Sequence, residues 1–438
     1  MTQILSTARE MATKTPVERN RVVDLVRVAS ILIVVFGHWL MAAVMIENGE
    51  ITAPHVLNEF PLARPLTWLL QVMPLFFFVG GYSNALSWRS ARRRGESYAS
   101  WLRTRLRRLT LPVVPLLAVW GALGWVALQA GVEGDLLRMA SVVALGPTWF
   151  LAAYVLIVVL APAALALWER WGWWSIALGL GLAAAIDLIS IGLGVEPLGF
   201  LNYIFVWATV HQLGYAWVDK KTEASWIRPA MATVGFAAVL ALVWAGPYPV
   251  EMVGFNSDGL SNSLPPRLTL AFLGVFQAGL VLLVEAKLER LMAGVRAWTT
   301  VVLVNGQIMT LYLWHLSAMI ILLAAGLGLS GFGFGIEPFT GQWWMTRPIW
   351  LAALAFVTAL LVLVFGRFER PRQDARPAPK PWRPILAAMM ICAGLGSLAL
   401  SGIADDQGMN GLVLMLPVVG MVLGGVMGAS ASNRFGRA

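Results

Sequence analysis

The sequence predicts an all-α fold, a polytopic transmembrane helix bundle of about twelve spans, and three observations carry that prediction. Of 438 residues, 58% are hydrophobic and only 13% are charged, with 21 tryptophans, a composition outside the soluble range. Apolar stretches near the ~20 residues needed to cross ~30 Å of hydrocarbon recur along the whole chain, which implies helices rather than a barrel. When alternate loops are assigned to alternate faces, all but four of the 32 Lys and Arg fall on the side of the N-terminus; the exceptions are Arg64, Arg138, Arg267 and Arg347. That bias places both termini in the cytoplasm.

Taken in order, residues 1–27 form a polar cytoplasmic tail, followed by an apolar run that reads as an uncleaved signal anchor. Ten spans occupy 28–366, at roughly 28–46, 66–88, 109–130, 147–167, 173–193, 198–217, 230–246, 268–285, 298–325 and 346–366. The outer loop 247–267 is rich in Pro, Gly, Asn and Ser and reads as an irregular connection or lid. Residues 367–384, RFERPRQDARPAPKPWRP, are too rich in proline for a regular helix and mark a cytoplasmic linker. Two further spans, 385–403 and 411–429, form a terminal segment (385–429) before a short cytoplasmic tail, 430–438. Gly420, Gly424 and Gly428 recur every fourth position there and allow another helix to approach closely, in this chain or in a partner.

The net charge of +9 has the same origin as the orientation bias, so the Arg-rich loop after the second span is not read as nucleic-acid binding. Cys392 is the single cysteine and lies in an apolar span, which excludes an intrachain disulfide and a thiolate metal site. The histidines show no HExxH spacing and no acidic triplet, so no metal is expected. GLGLSG at 326–331 follows a hydrophobic helix rather than a strand and reads as an outer turn, not a dinucleotide loop.

One stretch is chemically awkward for lipid: RVVDLVRVASILIVVFGHWL, residues 21–40. Arg27 and His38 are eleven residues apart, three helical turns with only ~20° of drift, and Asp24 lies within ~60° of their stripe. A polar track therefore runs from the cytoplasmic surface to an imidazole ~16 Å deeper, near the bilayer midplane. An intramembrane ionisable group is a functional candidate by default, whereas Asp24 and Arg27 also suit an interfacial ion pair. Of the other histidines, His55 is in an outer loop, and His211 and His315 lie within spans. NGQIMTLYLWHLS, 305–317, puts Tyr312 and His315 one turn apart on one face, either as a site or as a hydrogen-bonded core. The basic loop 88–109, WRSARRRGESYASWLRTRLRRL, could grip phosphate oxygens through Arg forks, or serve only orientation and lipid attraction. Arg105 and Arg108 stand out because they sit where the third span begins.

Five separated motifs then point the same way: Arg27 and His38 in the first span, MPLFFFVGGY (73–82), the RxxR of Arg105 and Arg108 with LTLPVVP after it, PTWFLAAY (147–154) and LYLWH (311–315). Together, in this order, they resemble acyltransferase family 3, bacterial integral-membrane acyltransferases. The resemblance covers roughly residues 20–370 and leaves the last two spans outside it. It implies transfer of an acyl group, usually from acyl-coenzyme A on the cytoplasmic side, to a hydroxyl or amine of a cell-envelope saccharide, lipid or related metabolite. It makes His38 the catalytic candidate with Asp24 and Arg27 beside it, gives donor binding to Arg105 and Arg108, and makes Thr148, Trp149, Tyr312 and His315 cavity residues. No bound cofactor is implied, acyl-coenzyme A being a substrate. A secondary transporter or a lipid flippase without acyl chemistry shares the same gross pattern, although no paired helix interruption in two matching halves is visible.

Overall fold

The computed structural model describes residues 9–427, except 11, 17–18, 48–49, 255–258, 330–334 and 370–376. Gly428, the tail 430–438, residues 370–376 of the Pro- and Arg-rich linker and the end of the GLGLSG run lie outside the described residues. The longer helices, in chain order, are α1 (Arg21–Met41), α2 (Met73–Arg93), α3 (Tyr98–Thr110), α4 (Val113–Gln129) and α5 (Gly134–Leu145). There follow α6 (Thr148–Trp171), α7 (Trp173–Asp187), α8 (Asn202–Val218), α9 (Ile227–Ala245) and α10 (Leu268–Ala293). The last five are α11 (Val295–Asn305), α12 (Ile308–Gly328), α13 (Gly341–Phe365), α14 (Trp382–Ser401) and α15 (Gly411–Leu423). Strand is confined, among the described residues, to four segments of two or three residues.

Nine of the described helices are long and apolar enough to cross a membrane, or ten if the pair α3 and α4, bent by 46°, counts as one span. The chain is a multi-pass membrane protein. Every expected span contains a helix, but α8 has 17 residues and α15 only 13, short of the length a full crossing needs. Two spans expected to be continuous are broken. A 3-10 turn and a four-residue helix, Pro61–Leu66 and Thr67–Leu70, precede α2, where Pro61 and Pro65 withhold backbone donors. The span expected at 298–325 is split into α11 and α12 at Gly306 and Gln307, next to Asn305, where two weak helix formers in succession favour an end.

The chain folds into two compact units. The first comprises Met1–Val44, Ile51–Trp88 and Leu160–Gly306, and so contains α1, most of α2 and α7 to α11. Its α2 and α8 cross so closely that a Cβ on Gly81 would meet the His211 carbonyl, and one on Gly214 would meet the backbone of Phe78 and Tyr82. Small residues permit this contact, which lipid-embedded helices need because hydrophobicity gives them no reason to associate. At the other end of α7, the buried Asp187 accepts from Asn202 Nδ2 (2.9 Å), Arg267 Nη1 (3.2 Å), Leu268 N (2.8 Å) and Tyr248 Oη (3.0 Å). Burial and the neighbouring Asp187 carboxylate push the Tyr248 phenol up, so it stays a donor. Asn262 adds amide bonds to the carbonyls of Pro249 and Glu251, and the loop expected to be irregular is thereby tied down.

The second unit comprises Met45–Glu50, Arg89–Val159 and Gln307–Ala438. Its α14 and α15 form an antiparallel pair in which Gly420 lies against Met390 and Ala387, and Gly424 against the Ala387 methyl. These two glycines serve packing within the chain. The pair is fastened to its unit by Thr148 Oγ1 donating to Leu395 O (2.9 Å), Cys392 Sγ to Ala152 O (3.2 Å) and Ile403 N to Ser141 Oγ (3.1 Å). Arg103 Nη1 donates to Pro377 O at 2.8 Å and ties the linker to α3 at that residue.

Candidate active site

Helix α1 starts where Asn20 accepts from the amides of Val22 and Val23, filling two of the orphan donors of a helix N-terminus. One turn later the buried Asp24 collects three donors: Arg19 Nε on Oδ2 (2.7 Å), with Arg27 Nη1 (3.0 Å) and Asn305 Nδ2 (3.1 Å) on Oδ1. Arg27 extends its other nitrogen to Ser83 Oγ of α2 at 2.7 Å. Two guanidinium groups thus face one carboxylate, and the foot of α1 keeps a net positive charge.

Above this cluster Ser30 and Ile31 are 2% exposed and Val35 1%, so the helix is packed along its lower turns. Among the described residues the Ser30 hydroxyl has no hydrogen-bond partner. His38 breaks the pattern: its ring is exposed, although it lies on the stripe of Arg27 and the buried Ile31. A histidine on the packed side of a membrane helix whose ring is nevertheless accessible can meet a ligand and exchange a proton with it.

His211 differs. It is fully buried, Asn84 Nδ2 lies 3.0 Å from its Nε2, and its Nδ1 lies 2.9 Å from Tyr215 Oη, which donates to Ala161 O. The amide donates to Nε2, so the network assigns the proton to Nδ1, and both ring nitrogens are satisfied. This is a brace between α2, α8 and α6.

In the second unit the arginines of α3 divide by burial: Arg103 and Arg107 are buried, Arg105 is half-buried and Arg108 exposed. Arg105 lies over the Trp101 ring at 5.9 Å, and Arg108 is within electrostatic reach of Glu369. Glu369 accepts from the amides of Met309 and Thr310 (both 2.9 Å) and from Thr310 Oγ1 (2.8 Å), capping the start of α12. The candidate cavity residues are well packed. Thr148 directs its hydroxyl to the carbonyls of Leu145 and Leu395, Tyr312 donates to Pro147 O (2.9 Å), and His315 Nδ1 donates to Tyr312 O (2.6 Å). Trp149 is half-buried, edge-on to Phe150.

Within the first unit, therefore, Asp24, Arg27 and His38 share one helix face, and Arg105, Arg108, Thr148, Trp149, Tyr312 and His315 all belong to the second. Sequence reasoning missed Ser83, Asn305 and Glu369. Ser83 directly follows the VGGY motif and Asn305 opens the quoted 305–317 segment, but no periodicity along one helix reveals a partner on another. Among the described residues no group of three His, Cys, Asp or Glu could hold a metal ion.

Comparison with known proteins gives one family. Neither the curated proteins nor the solved structures include a match. The family described as Acyltransferase domain (Acyl_transf_3) matches residues 20–367, a stretch that holds every one of these candidate residues and ends before α14, and the chain belongs to acyltransferase family 3.

Proposed function

We propose that the protein transfers an acyl group from acyl-coenzyme A, presented on the cytoplasmic side, to a hydroxyl or amine of a cell-envelope saccharide, lipid or related metabolite. The observation that carries the reading is the accessible His38 ring on the stripe of the braced Asp24–Arg27 pair. In a direct route the imidazole takes the acceptor proton as the acceptor oxygen or nitrogen attacks the thioester carbonyl; the C–S bond breaks, and the thiolate takes the proton back from the imidazolium. In a covalent route the imidazole nitrogen attacks the thioester carbonyl and coenzyme A leaves as the thiolate; the acceptor then attacks the acyl-histidine, the C–N bond breaks, and the acceptor proton passes through the released imidazole to the thiolate. Arg27, about three turns below His38, neutralises charge along the track that leads to the imidazole, and Asp24 fixes its guanidinium. Arg105 and Arg108 hold the donor phosphates, and Thr148, Trp149, Tyr312 and His315 shape the path of the acyl group.

The proposal includes residence in the inner membrane with both termini cytoplasmic, as the distribution of basic residues favours. It counts twelve crossings, with α8 and α15 as short ones: ten in the acyltransferase core, then the cytoplasmic linker and the terminal pair. Inside-out membrane vesicles given acyl-coenzyme A, which does not cross the bilayer, should release free coenzyme A only when an acceptor is supplied; right-side-out vesicles should release none. Release from right-side-out vesicles alone would reverse the orientation. No release in either, across acyl lengths and envelope acceptors, would favour a transporter or flippase.

A further inference from the structure

Asn305 ends α11, and Gly306 follows it. An asparagine at a helix end ordinarily bonds to nearby backbone or to water. This one reaches a carboxylate 281 positions away in sequence, donating to Asp24 Oδ1 at 3.1 Å, the same oxygen that receives Arg27 Nη1. Asp24 is 4% exposed, and a carboxylate so withdrawn from water needs hydrogen-bond donors from the protein to fill its lone pairs. Of its three donors, Arg19 is half exposed, so water and salt weaken its hold. Asn305 is neutral, so salt does not screen it.

The other end of the Arg27 fork is built in a similar way. Ser83 gives its proton to Val79 O (3.0 Å), which turns a lone pair toward Arg27 Nη2 (2.7 Å). Three helices, α1, α2 and α11, thus meet at the Asp24–Arg27 pair. We infer that Asn305, together with Ser83, is a positioning residue: Asn305 sets the Asp24 carboxylate, and the two residues hold Arg27 on the stripe that leads to His38. This inference rests on the acyl-transfer reading, in which Arg27 neutralises charge on the track to His38.

The test is a mutant cycle on the purified full chain in lipid nanodiscs, with acyl-coenzyme A as donor. Asn305→Leu keeps the branched shape and removes the donor. It should lower kcat about ten-fold, the effect of one hydrogen bond to a charged group, and leave both KM values within about two-fold. Asn305→Gln, which restores an amide donor, should recover part of the loss. In an Asp24→Asn background Asn305→Leu should change kcat by less than about two-fold, because both act through one oxygen. Full multiplication of the two losses, or an unchanged kcat in folded Asn305→Leu, overturns the inference. Ser83→Ala decides the matter if Asn305→Leu does not fold: it should reduce kcat with KM unchanged, and an unaltered kcat overturns the proposal. A wild-type protein without acyl transfer fails the functional reading itself, whereas an active wild type with an unaffected Asn305→Leu fails only this inference.

Discussion

At the residue scale the deep histidines have different surroundings, although the sequence presents them alike. His211 is satisfied at both nitrogens, His315 bonds to its own helix, and His38 keeps an exposed ring. The R-x10-H spacing made Arg27 and His38 legible, because helical geometry alone puts residues eleven apart on one face. The partners that fix Arg27, Ser83 and Asn305, were not legible, since a contact between helices has no period within either. The brace reading of His211 predicts that Asn84→Leu, which strands a buried ring nitrogen, lowers stability by about 1–3 kcal/mol. Acyl transfer per folded molecule should remain near wild type. A kcat that falls more than the folded fraction would instead place His211 in the reaction.

Helices and their crossings show why certain motif residues are what they are. The glycine pair in MPLFFFVGGY puts Gly81 where α2 meets α8, and its counterpart Gly214 lies on the other side of the contact. The motif could be read as a motif but not as a crossing. Any Cβ at Gly81 would overlap the His211 carbonyl, a backbone atom that can yield only if the helices separate. Gly81→Ala should therefore reduce the folded yield sharply and lower the melting temperature by several degrees, as an overpacked site costing ~1–3 kcal/mol or more requires. Fluorescence-detected size-exclusion and thermal melting in detergent would check it, and an unaltered melting temperature would show that the helices are not in contact there. Breaks in helices were the least legible feature: the split at Gly306 and the turn before α2 lie inside runs whose hydropathy is uniform enough to read as single spans.

For the molecule as a whole, composition and charge bias were enough to read a multi-pass helical membrane protein, because the bilayer admits so few backbone solutions. The grouping of the chain was not legible. Two spatial units assembled from interleaved stretches, with the last two helices fastened to Thr148, Ala152 and Ser141, cannot be read from a linear order of spans. The central claim is that acyl transfer happens at His38. It is tested most directly by the turnover of His38→Ala in nanodiscs, measured beside its melting temperature and its binding of acyl-coenzyme A. Because the ring is exposed, the melting temperature should stay near wild type, and donor binding should persist, since Arg105 and Arg108 are intact. Turnover should fall by at least the ~100-fold expected when a general base is lost. Near-normal acyl transfer by the folded variant would contradict the account.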